Sequence, residues 1–200
     1  MADLPESPKP AESNVGSEQC SEAAEEPKKE LSKNEELPKL SAHDFRIYNR
    51  MSEHMDMFHN NFRLSWNTLY SACANGRRPA GMTMRQFIFS GLRFCQGLTF
   101  HHDIEEQHIF PLLGKRMPAF KKDGDPLKQH KQIHAGLDKL EAYLEECQSG
   151  AEDLRMDRMK EIMDSFGAVL WAHLDDEVRE LGAENMRKYW SKDEIMRMPM

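Results

Sequence analysis

The sequence predicts an all-α fold, an antiparallel up-and-down four-helix bundle, on three observations. Apolar residues recur at helical spacing along four long stretches, short Gly- and Pro-containing turns separate those stretches, and no segment alternates in the manner of a strand.

The first stripe is Met55, His59, Phe62, Trp66, Leu69 and Cys73, at spacings of four, three, four, three and four. That is one face of an amphipathic helix, so His59 points inward. NGRRPAG at 75–81 breaks it, and Thr83 with Gln86 is a capping-box signal for a second helix. The second helix runs through Phe87, Gly91, Cys95, Leu98 and His102 to Glu106, and Pro111 with the following LGKRMP should end or kink it.

KKDGDP then supplies a turn, with Asp125 expected as N-cap and Pro126 at the first helical position. The third helix carries Leu127, His130, His134, Leu137, Glu141 and Leu144 on one face, with Gly150 as its C-cap. A fourth is expected from Asp153, striped by Met159, Met163, Phe166, Leu170, His173 and Glu177 and ending near Gly182. The final segment, 183–200, holds a second capping-box signal at Ser191 and Glu194 and reads as a short helical extension over the bundle end. Residues 1–40 are Glu, Ser, Pro and Lys with few large apolar side chains, so they cannot offset their ordering entropy by burial and read as a disordered acidic tail.

Composition narrows the function. The net charge is −7, but residues 1–40 hold ten acids and five bases, leaving 24 acids and 22 bases in the remainder. A near-balanced body without a basic stripe argues against nucleic acid and against an anionic membrane surface. Runs such as FGAVLWA are far too short to span a bilayer. The N-terminus has no secretory or transit pattern, and four scattered cysteines without CxxC spacing fit reduced thiols, so the expected compartment is the cytoplasm, with the nucleus open.

The chemistry lies in the stripes. Residues four apart share a helix face. Helix one offers His59, helix two His102 and Glu106, helix three His130 and His134, and helix four His173 and Glu177: five imidazoles and two carboxylates. One HxxxH pair is weak evidence for a metal. Four helices that agree are stronger, because the alternative requires five core histidines and two buried carboxylates, each separately satisfied. His101 and Glu105 have the same spacing as His102 and Glu106, and a rotation of the helix would make them the ligand pair. His43, His54 and His108 read as neighbours of the site or surface residues.

On HNNFR with His59, FHHDIEEQHIFP with His102 and Glu106, QHKQIHAGL with His130 and His134, and DSFGAVLWAHLDDEV with His173 and Glu177, the chain resembles the hemerythrin-like, HHE cation-binding family. The resemblance covers residues 50–182 and implies two non-haem iron ions, oxo- or hydroxo-bridged. It makes His59, His102, His130, His134 and His173 terminal ligands and Glu106 and Glu177 bridges. Dioxygen or nitric oxide is the implied small ligand, for storage, buffering or sensing. Where oxygen-carrying relatives place an aspartate five residues after the last histidine, this chain has Glu177 four residues after His173, which weighs against reversible oxygen carriage. Two other functions compete: a di-iron redox enzyme, and a metal-free interaction scaffold. A zinc hydrolase is disfavoured by the absence of HExxH.

Overall fold

The computed structural model describes residues 37–199, so the expected tail lies almost wholly outside the described residues. Within Lys39–Pro199 the regular structure of the described residues is helical, with no strand among them. A short α1 (Ala42–Tyr48) leads into α2 (Arg50–Ala74) and α3 (Met84–Ile104). A π-helical turn (Glu105–Ile109), a short α4 (Phe110–Leu113) and a 3₁₀ turn (Pro118–Phe120) connect to α5 (Asp125–Ser149) and α6 (Met156–Glu180). The short helices α7 (Ala183–Met186) and α8 (Lys192–Arg197) follow.

The long helices α2, α3, α5 and α6 pack in a ring, α2 against α3, α3 against α5, α5 against α6 and α6 against α2. That is the four-helix arrangement which short connections between amphipathic helices favour. The capping box at the start of α3 is present: the Thr83 N–H donates to Gln86 Oε1 at 2.8 Å, and the Gln86 N–H to Thr83 Oγ1 at 3.2 Å. Gly150 ends α5 in the left-handed region at φ 82°.

Two boundaries differ from the sequence reading. Helix α5 is capped by Gly124 rather than by Asp125, because a Cβ at 124 would lie 1.9 Å from the Ala119 carbonyl oxygen, a closeness only glycine permits. Helix α6 begins at Met156, three residues later than expected.

Two apolar clusters lie along the bundle. The larger joins Trp66, Leu69, Phe87, Leu98, Leu137, Leu140, Leu144, Met159 and Phe166. The smaller joins Met51, Met55, Ile109, Phe110 and Leu113 to Leu181, Met186, Trp190 and Ile195, so the segment after residue 182 covers that end of the bundle. Each fully buried Leu or Phe contributes about 1.5–3 kcal/mol. The candidate site residues lie in sequence between the contributors to the two clusters, His59 after Met55 and before Trp66, and His102 after Leu98 and before Ile109.

Close packing sets a test. A Cβ at Gly136 would meet the Phe166 ring carbons at 2.3 Å and its Cβ at 2.6 Å. Alanine gains helix propensity of about 1 kcal/mol over glycine, but overpacking costs about 1–3 kcal/mol, and the obstructing atoms belong to a buried ring rather than a flexible chain end. Gly136→Ala is expected to lower the thermal midpoint by several degrees in calorimetry, and an unchanged midpoint contradicts this packing.

Candidate metal centre

Four helices carry the polar layer. From α2 comes His59; from the end of α3 come His101 and His102, with Glu105 at the first position of the π turn; from α5 His130; from α6 His173 and Glu177. His59, His102, His130, His173 and Glu177 are completely buried, and Glu105 is 1% exposed. His102 and His130 stack with ring centroids 3.8 Å apart, and His173 stands edge-on to both.

Glu105 occupies a position where both neighbouring imidazoles can reach it. It lies four residues after His101 and three after His102, the two spacings that share a helix face. Its Oε1 is 2.9 Å from His101 Nε2 and its Oε2 is 3.4 Å from His130 Nε2. Glu177 does the equivalent from the other side, with Oε2 3.5 Å from His59 Nε2 and 3.6 Å from His173 Nε2. Each carboxylate therefore lies between two histidines on different helices. Donor atoms of His102, Glu105, His130 and His173 fall within 4.8 Å of one another, as do those of His59, His101, Glu105 and Glu177. The two groups share Glu105.

The other edges of the rings are held by the protein. The His59 Nδ1–H donates to the Leu174 carbonyl at 2.9 Å, which leaves Nε2 as the lone-pair nitrogen. His130 Nδ1 lies 2.8 Å from Glu106 Oε1, His102 Nδ1 3.3 Å from His134 Nε2, and His173 Nδ1 3.4 Å from Gln129 Oε1. Gln129 in turn donates to Asp176 at 3.0 Å. Partners of this kind orient imidazoles toward a metal and set their tautomer.

Nine inward-facing atoms have no hydrogen-bond partner: Nε2 of His59, His101, His102, His130 and His173, and both carboxylate oxygens of Glu105 and of Glu177. Native interiors rarely leave such atoms unsatisfied. Here they converge. Burial holds the His59 and His130 imidazoles down to about 3, and pushes His102 and His173 well below the ordinary imidazole range, with neighbouring histidines adding to the effect. His101 is lowered by burial as well. Burial also raises Glu105 and Glu177 well above ordinary carboxylates, and Glu177 is further raised by the nearby Glu105 charge. Neutral imidazoles keep a free electron pair, and two carboxylates so desolvated call for a cation.

These donors fit a metal by number, type and orphaned state, and by contact with holding groups on the outer edge. Residues 50–184 match the family described as the Hemerythrin HHE cation binding domain. The chain belongs to the hemerythrin HHE cation-binding family. This hemerythrin-type chain is also 27% identical over 142 residues to the dimeric xanthone biosynthesis cluster protein R11 of Cryptosporiopsis sp. (strain 8999). The match covers 68% of this chain and 53% of that protein, so the chain spans about half the length of the curated relative it matches. No solved structure matches it significantly.

Of the seven residues singled out from the sequence, the fold of this hemerythrin-type domain brings five together: His59, His102, His130, His173 and Glu177. Glu106 and His134 stand in neither donor group. Glu106 is five residues from His101, turned about 100° further round the helix than Glu105, and its side chain is 41% exposed. His134 touches the outer edge of His102. Glu105 and His101, which sequence reasoning had as the alternative to Glu106 and His102, both stand in the donor groups, alongside His102. The available signal was that Glu105 alone has a histidine at both three and four residues before it. His43 and His108 are exposed, and His54 is half-buried beside Phe58.

Proposed function

We propose that this chain is a non-haem di-iron protein that binds dioxygen or nitric oxide for storage, buffering or sensing. His59 and His101 would hold one ion and His102, His130 and His173 the other, with Glu105 and Glu177 between them. The observation that carries this reading is the convergence of nine orphaned buried donors from four helices. Imidazole and carboxylate without thiolate suit iron. Two carboxylates against two cations also reduce the charge that an apolar interior must tolerate.

When bound, an iron pair supplies redox-active coordination positions for a small gas. The chain's own residues do the rest. The outer contacts of Leu174, His134, Glu106 and Gln129 hold four rings so that Nε2 faces inward. The His59–His101 side has two imidazoles and two carboxylates where the other side has three imidazoles and one carboxylate. Trp66, Leu98 and Phe166 are buried, and Phe62 lies 5.2 Å from the His101 ring.

A second reading, a di-iron redox enzyme, is favoured by one feature: a cleft of about 460 Å³ reaches His101 and Glu105 and is much larger than a diatomic gas requires. For location, no described helix is long and apolar enough to cross a membrane. Cys73, Cys95 and Cys147 are free and buried, which supports a reducing compartment such as the cytoplasm.

Elemental analysis of the full chain, purified without chelator from iron-supplied cells, tests the assignment. About two irons per chain are expected from two donor groups that share Glu105, followed by spectral change on adding nitric oxide or dioxygen. Zinc in a two-ion ratio, which each four-residue donor group could also hold, or no metal in a folded protein, overturns it.

A further inference from the structure

We propose that the cleft beside His101 takes a neutral aromatic organic molecule of the phenol or naphthol class. The proposal deepens the di-iron reading by naming an organic ligand next to the site. Lining the cleft are Met51, Met55, Phe58, Phe62, Phe100 and Ile104, and its polar groups are His54, His101 and Glu105. Its volume, about 460 Å³, lies in the range of pockets that enclose small organic ligands.

The lining chooses the chemistry. Phe58 packs between two imidazoles, 4.9 Å from the His54 ring and 5.7 Å from the His101 ring, and Phe62 lies 5.2 Å from His101. That continuous aromatic wall favours another ring, stacked offset or edge-on. Met51 and Met55 offer soft sulfur contacts to an aromatic face. No lysine or arginine lines the cleft, so it has nothing to pair with a carboxylate or phosphate, and Glu105 already lies among histidines. A neutral hydroxyl directed at His54 satisfies the remaining polar edge. Phe58 and Phe100 at the rim are 41% and 66% exposed, apolar surface that an entering ring would cover.

Gly97 gives a direct test. It lines the cleft, and a Cβ there meets only Phe62 at an ordinary 3.6 Å. Leucine at 97 therefore extends into the cavity without forcing the backbone, in a helix that tolerates it better than glycine. Binding of 1-naphthol to the full-length protein is measured by titration calorimetry, with metal content recorded on the same samples.

Saturable binding near one naphthol per chain is expected, weakened at least tenfold by Gly97→Leu with metal content and circular dichroism unchanged. Phe100→Ser, at the exposed rim, is expected to weaken binding several-fold and serves if Gly97→Leu does not fold. No saturable binding by folded wild type, or binding indifferent to these substitutions, overturns the proposal, including the case in which another segment or protein covers the cleft. Naphthol binding without iron keeps the cleft and sinks the di-iron reading; two irons without naphthol binding does the reverse.

Discussion

Replacing Glu105 by glutamine is expected to cut bound metal to one ion per chain or none, while Glu106→Gln retains both. The two residues are adjacent, so composition and helix propensity barely distinguish the variants. Their side chains do. Glu105 is buried and reaches His101 and His130, belonging to both donor groups, so losing its charge affects both ions. Glu106 is 41% exposed, contacts the Nδ1 edge of His130 and belongs to neither donor group. Removing an outer partner of this kind costs about 10–100-fold in metal affinity. His134→Ala is expected to fall in the same class, through His102. Elemental analysis across a chelator series separates the classes, and greater metal loss in Glu106→Gln than in Glu105→Gln would restore the assignment read from the sequence.

Stripping metal from the folded protein is expected to lower its thermal midpoint by about 8–16 °C. A metal present about a thousandfold above its dissociation constant is worth about 4 kcal/mol of folding stability, and a domain of this size shifts by about 2–4 °C per kcal/mol. The physical source is the polar layer. Without a cation the nine orphaned atoms remain desolvated, with the Glu105 charge raising the proton affinity of Glu177. Differential scanning calorimetry before and after chelation, with iron returned to the stripped sample, measures it. A midpoint that neither falls on stripping nor recovers with iron would show the layer to be self-sufficient and remove the main support for a metal centre.

Much of the fold was legible in the chain because helical periodicity is a local property. The stripe through Met55, His59, Phe62, Trp66, Leu69 and Cys73 places His59 inward whatever the helix packs against, and the observed α2 buries it completely. The capping box at Thr83 and the left-handed Gly150 follow from backbone groups within a few residues. Gly124 as the cap of α5 was not legible, because its reason is the Ala119 carbonyl brought against it by the 3₁₀ turn.

The ligand set divides in the same way. His59, His130, His173 and Glu177 sit at the centres of unambiguous stripes, so their inward direction followed from spacing alone. FHHDIEEQH offered two overlapping HxxxE pairs, and period alone ranks them equally because they differ by one residue. The choice depends on the rotation of α3 about its axis, which packing of Leu98, Ile109 and Phe110 against neighbours sets, and on the wide turn from Glu105 to Ile109. In that turn the Phe110 N–H reaches back to the Glu105 carbonyl, just ahead of Pro111, which has no N–H to give.

The helical class, the four stripes and their mixture of imidazole and carboxylate could be read from the chain, since each rests on contacts within one or two turns. The packing of the helices, by contrast, put Glu105 and His101 into the donor groups beside His102, left Glu106 and His134 supporting rings from outside, and opened an apolar cleft beside His101. Those features depend on how one helix is rotated against three others, and that rotation minimises exposed apolar surface over the whole bundle rather than along any one segment.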